Sequence, residues 1–408
     1  MNAIPEPARQ TPVIAHYDVL VVGGGIAGVA AAVAAARCSA KVGLIERYCG
    51  LGGLATLGNV VLWLPLCDGR GNQVVGGLGE ELLKLSVAEL PRDYPGARLQ
   101  RPPECWQPGG EVSLRARRRY RAGFNPAAYM LALEELVTAG GVEVHYDTRF
   151  CAVAQNAGRI THVIVENKSG RSAIACGTVV DATGDADVCF AAGERTVSLD
   201  SNVPAAWFYT LGSGELRLHL LSNHYCPQAG KADAQGPFFR GDSAADVTGH
   251  ILHSRRLVRD KLAELRLAAK GQDVQLLMPA AMACFRMTRR LEGAFTLGHH
   301  HVHRWLDQVI GLTGDWRKAG PVYAIPLGCL RGRSLNLLAA GRCISADSTV
   351  WDAVRAIPPC AVTGQAAGVG AALASSRNEG IGDVPYDALR RKLLEQGVLL
   401  DEGLVAPS

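Results

Sequence analysis

Short apolar runs alternate with glycine-rich turns at the start of the chain. Tyr17–Val22 (YDVLVV) is apolar and rich in β-branched residues and predicts a buried strand. Val29–Cys38 is alanine-rich and predicts a helix packed tightly on a sheet. Lys41–Ile45 (KVGLI) predicts the next strand, which ends in Glu46. Between the first strand and the helix, Gly23, Gly25 and Gly28 fall at G-x-G-x-x-G spacing around Ile26 and Ala27. Glu46 follows Gly28 by eighteen residues. Each part has a mechanical reason. Gly23 permits a tight turn, Gly25 lets a pyrophosphate touch the backbone, and Gly28 lets helix and strand pack closely. The helix N-terminus offers amides and a positive dipole end, and Glu46 accepts hydrogen bonds from a ribose diol. This first unit predicts dinucleotide binding.

Further along, residues 141–188 alternate as strands, with turns at Asn156-Ala157-Gly158 and Lys168–Gly170. Asn125 caps a helix that has Pro126 in its first turn. Pro91–Gly110 is loop-like. Residues 237–271 contain a long amphipathic helix, on which His250 and His253 lie about one turn apart. No carboxylate accompanies that pair, and no metal site is expected.

Composition narrows the class. A chain of 408 residues with 48% hydrophobic and 20% charged residues suits two interleaved domains with a large core. Its net charge of +4 is too small to argue for nucleic acid or an acidic membrane. Twelve cysteines are scattered without a CxxC pair, which fits reduced thiols in a cytoplasm. The polar, proline-containing start lacks the apolar segment of a signal peptide, and residues 1–16 are expected to be flexible. No apolar stretch is long enough for a membrane span.

After Glu46 comes RYCGLGGLAT, and here the chain resembles the FAD-dependent oxidoreductases of the two-dinucleotide-binding flavoprotein superfamily. In that resemblance Arg47, Gly52, Gly53 and Thr56 wrap the FAD ribose and pyrophosphate. VVDATGDADV resembles the motif in which a strand returns beside the cofactor, carried by Ala182, Thr183, Gly184 and Asp185; Phe150 joins the set. Residues 335–374 resemble the C-terminal flavin motif. There a strand ends in Ala-Gly-Arg, with Gly341 and Asp347, and a helix opens at Thr363-Gly364-Gln365 and runs on through Ala366. The N-terminus of that helix is expected to face the flavin N1–C2=O2 edge. The group most similar is the one related to fumarate reductase flavoproteins and to the flavin subunit of heterodisulfide reductase. No second GxGxxG unit or CxxxxC pair marks a disulfide reductase. The GDAAH-like run of flavin monooxygenases is missing, and PVYAIP keeps only the Ile-Pro of the halogenase WxWxIP motif.

The resemblance implies an α/β fold: a Rossmann-like FAD-binding domain, with a parallel sheet, helices and a β-meander, carrying an inserted α+β substrate or cap domain. The FAD-binding domain is expected at residues 17–60, 125–200 and 325–378, and the cap at 61–124 and 201–324. The implied activity is hydride transfer between a small organic substrate and flavin N5. The segment FRMTRRL resembles an Arg-x-x-Arg-Arg strand that borders the flavin, formed here by Arg286, Arg289 and Arg290. Where the family usually has an acid, His299, His300, His301 and His303 stand. If that segment is a strand, His301 and His303 share a face. Arg290 for substrate binding, His301 for proton transfer, and Arg289 and Arg355 in the cavity are the candidate catalytic residues. Five arginines within Arg115–Arg121 read as a solvated face or one rim of the site. The alternatives are a monooxygenase or halogenase, or a flavoprotein subunit acting with a protein or RNA partner. A small-molecule substrate, a homodimer, and no membrane or nucleic-acid partner are the expectations.

Overall fold

The computed structural model describes residue 4 and residues 8–89, 103–107, 109–222, 237–270 and 273–406. Most of the loop expected at Pro91–Gly110 lies outside them. Five parallel strands form the body of a seven-stranded sheet. Glu143–His145 lies at one edge, followed by Val42–Ile45, Val13–Val22, Gly170–Asp181 and Leu337–Ala339. The strand Gly170–Asp181 belongs to two layers. Its C-terminal part pairs in parallel with Leu337–Ala339, while its N-terminal part carries Arg159–Asn167 and then Arg149–Asn156 as an antiparallel meander. The meander turns at Ala157 and Gly158, both at positive φ (46° and 78°), as a two-residue hairpin requires. With helices packed on this sheet, the chain is a Rossmann-like α/β fold.

The N-terminus departs from expectation. The first strand begins at Val13, not Tyr17, and Val13 pairs with Ala173. Backbone pairing, not side-chain burial, orders this stretch, because Val13 and Ile14 remain exposed. Tyr17 is fully buried, and its ring lies across Gly43 of the neighbouring strand; a methyl group there would stand 2.4 Å from it. The hydroxyl passes beyond that strand to Glu143 (2.6 Å) and His145 (2.7 Å) on the edge strand.

One helix contact organises the core. Ile26–Ala36 is almost wholly buried and packs on the long helix Ile357–Arg377. A methyl group at Gly364 would stand 2.2 Å from the Ala27 carbonyl oxygen, and one at Gly368 would stand 2.1 Å from that of Ala31. The two helices touch backbone to backbone and run in the same direction. Helix Leu78–Val87, expected with the cap, packs on the long helix instead. Gln365 is fully buried there and accepts from the Leu78 amide (2.9 Å).

Part of the segment between the meander and the last parallel strand, within residues 205–278, forms a small layer with its own core. Ala205–Gly212 pairs antiparallel with Glu215–Ser222 and Val274–Met278, and helix Ala244–Ala268 lies against it. Phe208, Ala206 and Val258 make its core. We expect Gly364→Ala to destabilise the protein by about 1–3 kcal/mol through overpacking, read as a lower denaturation midpoint. An unchanged midpoint means that the helices are not in backbone contact.

Candidate functional site

The carboxyl ends of four adjacent parallel strands point the same way, and the segments leaving them converge. Gly23, Glu46, Ala182 and Ala340 each follow a strand end. The Gly23 amide bonds Ile45 O (2.8 Å), and the Ala182 amide bonds Val22 O (2.9 Å). Ligands in open α/β sheets bind at such ends. Here the convergence encloses an open cleft of about 700 Å³.

The glycine turn forms one wall. Gly23 has φ +103°, and a methyl group at Gly28 would stand 1.8 Å from Gly23 O, so both positions demand glycine. Gly25 is different. It has ordinary extended backbone (φ −67°), and a methyl group there would meet no protein atom within 4 Å. It faces open space beside Gly53, which lines the same cleft. Gly25 is also the cap of the helix, with no side-chain cap and no acid in the first turn. The leading amides of Ile26–Ala36 and its positive end are left for a ligand. The loop from Leu51 is fixed by Gly52 N bonding Gly24 O (2.8 Å) and by the buried Thr56 hydroxyl bonding Leu51 O. Thr56 supports the loop and does not line the cleft.

Glu46 is buried at the cleft edge. Its carboxylate accepts from the amides of Gly24 (2.6 Å) and Tyr48 (2.9 Å). Burial pushes its pKa up, opposed by those hydrogen bonds and by Arg47. Glu46, Arg47, Gly23 and Thr183 also line a second cavity of about 450 Å³, closed by Thr148, Arg149, Phe150 and Asp187. Phe150 therefore sits at this end, away from the larger cleft.

Ala182, Thr183 and Gly184 form the opposite wall. Their turn hangs on Asp181, which sequence reasoning missed. Fully buried, it accepts from Thr183 N (3.1 Å), Thr183 Oγ1 (2.7 Å) and Cys189 N (2.9 Å). Asp185 stands behind the wall. It accepts from the Thr288 hydroxyl and lies 3.7 Å from Arg47 and 3.6 Å from Arg342, both of which line the cleft. Arg342 was visible in the Ala-Gly-Arg ending, but nothing in that motif marks which way its side chain turns.

The far end is built by Gly341, Arg342, Arg355, Ile357, Cys360 and Met282. The long helix starts at Ile357, six residues before the expected Thr363. Pro358 and Pro359 lack N–H groups, so Ile357 supplies the amide of the first turn. Thr363, Gly364, Gln365 and Ala366 are therefore buried helix interior, and none lines the cleft. Small residues gather there for helix contact, not to start a helix. Asp347 also lies off the cleft. It caps the helix Ser348–Val354 through Val350 N (2.8 Å) and accepts from His299 N (3.0 Å).

A family model described as FAD dependent oxidoreductase matches residues 18–202 and 228–393. The chain belongs to the FAD dependent oxidoreductase family. Solved structures similar to it include a geranylgeranyl bacteriochlorophyll reductase-like protein from Thermoplasma acidophilum, at 14% identity and TM-score 0.47, covering 93% of this chain and 82% of that one. CabE, an aromatic hydroxylase from angucycline biosynthesis, is 14% identical with TM-score 0.46, covering 93% and 65%. The open conformation of a flavocytochrome c3 fumarate reductase is 14% identical with TM-score 0.42, covering 89% and 79%.

FAD fits these walls. Gly25 leaves a cradle that any side chain would fill, the free helix amides would hold a pyrophosphate, and the Glu46 carboxylate at the cleft edge would hold a ribose. Of the catalytic candidates in this oxidoreductase, only Arg355 lines the cleft. It is held by Asp352 through Nε (2.9 Å) and Nη2 and lies over Trp316. Arg289 points away. It bonds Asp187 (2.7 Å) and Asp185 O (2.9 Å) and covers Phe190, so it braces the Asp181–Phe190 turn. Burial and the neighbouring Asp185 and Asp181 raise the Asp187 pKa to about 6. Arg290 lies over Trp351, outside the cleft lining.

The histidine segment is a tight 3-10 turn, His299–His301, and not a strand, because Gly298 N folds back onto His301 Nδ1 (2.9 Å). Burial, His300 and Arg304 lower the His301 pKa. His303 bonds Val405 O (2.8 Å). No histidine is among the residues lining the cleft. His250 is fully buried, stacked on Phe285 at 4.2 Å, and bonds Val203 O (3.2 Å). In the arginine run, Arg119 is buried and donates to Cys67 O and Asp315 O, while Arg115 donates to Cys105 O.

Gly25→Leu should leave the melting temperature of the cofactor-free protein unchanged while abolishing FAD retention after desalting. Loss of both at once contradicts the open face of Gly25. A second expectation concerns pH. Burial, with Arg286 and His253 nearby, lowers the His250 pKa to about 4, against an unfolded value near 6.5. The native state therefore favours neutral His250. That stability is present above pH about 6.5 and is lost as pH falls toward 4. His250→Gln should lose less stability than the wild type across that window in parallel thermal melts.

Proposed function

We propose that this FAD-dependent oxidoreductase moves a hydride between a small organic substrate and N5 of its flavin. The single observation that carries the reading is the far end of the cleft. There Met282, arriving from the small antiparallel layer, meets Arg355, Ile357 and Cys360 at the start of the long helix. A bound flavin supplies the two-electron chemistry, and the protein supplies position and charge.

Arg355 is suited to hold an anionic or carbonyl oxygen. Its guanidinium is fixed by Asp352, which is itself nearly sealed from solvent and also lies 3.6 Å from Arg317. The Ile357 amide adds a donor at the positive end of the helix. Cys360 stays a thiol, because burial pushes its pKa up to about 12. The segment that leaves the layer of Ala205–Gly212, Glu215–Ser222, Val274–Met278 and Ala244–Ala268 supplies Met282 to the cleft, which supports a substrate-side role for that layer.

In the arginine run Arg115 and Arg119 are committed to backbone carbonyls, while Arg117, Arg118 and Arg121 are exposed. No helix among the described residues is long and apolar enough to cross a membrane. The test is anaerobic mixing of the yellow protein with metabolite pools while flavin bleaching is followed. Once a substrate is found, Arg355→Met should keep FAD yet slow reduction about 10²-fold or more in stopped flow. Wild-type speed in that variant removes Arg355 from the reacting site.

A further inference from the structure

The small antiparallel layer carries an edge that no strand among the described residues pairs. Its strand order is Glu215–Ser222, Ala205–Gly212, Val274–Met278, so Glu215–Ser222 bonds a neighbour on one side only. The turn into that strand decides which backbone groups are free. Ser213 and Gly214 both have positive φ (51° and 78°), the two-residue turn that matches strand twist. Gly212 and Glu215 flank it and are therefore a hydrogen-bonded pair. From there the pairing runs without a bulge to Ala205 and Ser222, and bonded and non-bonded pairs alternate along it. Arg217, His219 and Leu221 thus bond inward to Thr210, Phe208 and Ala206. Leu216, Leu218 and Leu220 turn their N–H and C=O groups outward.

The side chains follow the same alternation. Leu216, Leu218 and Leu220 share the face of Trp207, Tyr209 and Leu211, opposite the face on which Phe208 and Ala206 meet Val258 of helix Ala244–Ala268. Leu218 and Tyr209 pack against the main core, while Leu216 and Leu220 stay 51% and 56% exposed. An unpaired edge is usually blunted by a proline, a lysine or a bulge. Glu215–Ser222 has none of these. Its two charged residues, Glu215 and Arg217, bond each other (2.6 Å). The edge is therefore open to strand addition, and its outward backbone groups belong to the same three residues as its apolar ladder.

We propose that Glu215–Ser222 is a dimerisation edge, and that its partner is the same strand of a second copy of this chain, antiparallel about a two-fold axis through Leu218. The strand is its own complement in that register. Leu218 faces Leu218 of the second copy, and Leu216 faces Leu220 in both directions. The outward groups of the three leucines then meet, closing about six hydrogen bonds, and their side chains join into one ladder. On the opposite face Arg217 stands across from His219, and Glu215 across from Leu221. An axis at Arg217 would oppose two arginines, and an axis at His219 two histidines. The two small sheets become one continuous sheet across both copies. A single strand edge is a small contact, so the dimer is reversible, with a dissociation constant of roughly micromolar order.

The experiment is sedimentation velocity on the full chain from about 1 µM to 1 mM, with flavin content and melting temperature measured first. The wild type should pass from 43.2 kDa toward twice that mass. Leu216→Lys combined with Leu220→Lys sets like charges across each pair. It should raise the dissociation constant about 100-fold or more and leave flavin content and the melting temperature of dilute protein unchanged. Cysteines read the register. With Arg217→Cys and His219→Cys together, the non-bonded pair brings Cα atoms to about 4.5 Å, within disulfide reach. Mild oxidation should then give a covalent dimer that peptide mapping assigns to positions 217 and 219, and Arg217→Cys alone should not. That variant decides if the lysine variant melts early or loses flavin. Covalent dimers from His219→Cys alone overturn the Leu218 axis. A monomer at every concentration overturns the proposal, as does a dimer that the lysine variant leaves intact, since another surface then holds it. A monomeric wild type that dimerises once residues 223–236 are removed covers its own edge, and one that sediments with phosphatidylcholine vesicles turns its leucines to lipid. Either result overturns the second copy as the partner.

Discussion

The backbone contact between Ile26–Ala36 and Ile357–Arg377 sets the geometry on which the site depends. Ala27 meets Gly364 and Ala31 meets Gly368, so the register of the two helices is locked. Because they run in the same direction, the long helix begins six residues ahead of the short one. At 1.5 Å per residue that is about 9 Å. Two positive helix ends are thereby staggered along one cleft. One lies at Gly25 and the other at Ile357, at opposite ends of the lining. A larger residue at the contact would push the helices apart and change both the width of the cleft and the alignment of its ends.

Charge is arranged around that stagger. Asp185 lies between Arg47 and Arg342, and Asp352 lies between Arg317 and Arg355. Each carboxylate orients an arginine that lines the cleft and leaves it surplus positive charge. Arg289 and Asp181 do the same for the backbone, holding the turn at Thr183 from behind. The cleft walls are therefore braced from behind, and the support lies one layer out.

Much of this was legible from residue types alone, but only where backbone geometry restricts the residue. Gly23 and Gly28 are required by a turn and a close approach, and the hairpin at Ala157–Gly158 by positive φ. Glu46 follows from its position at a strand end. Side chains whose direction depends on distant packing were not legible. Arg289 and Arg290 are adjacent, yet one braces Asp187 and the other covers Trp351. The histidines resembled a strand until Gly298 folded onto His301. The true start of the long helix was signalled by Pro358 and Pro359. The small residues at Thr363–Ala366 drew attention away because helix contact and close ligand approach select the same residue types. Asp181 was not singled out, and although Arg286 stands in the FRMTRRL run, nothing local to that run marks its burial without a partner.

The Tyr17 side chain has a mechanical consequence. The edge strand Glu143–His145 has only three residues, and by itself it would be the first part of the sheet to fray. Tyr17 reaches it from two strands away, passing over Gly43, and its hydroxyl engages Glu143 and His145 together. The rim of the sheet is thereby riveted to the strand that feeds the glycine turn. Loosening the rim cannot remain local, because it pulls on Val13–Val22 and so on the floor beneath Gly23. An exposed row of unpaired backbone groups, which invites association between chains, is kept short and clamped by one aromatic ring placed where glycine leaves it room.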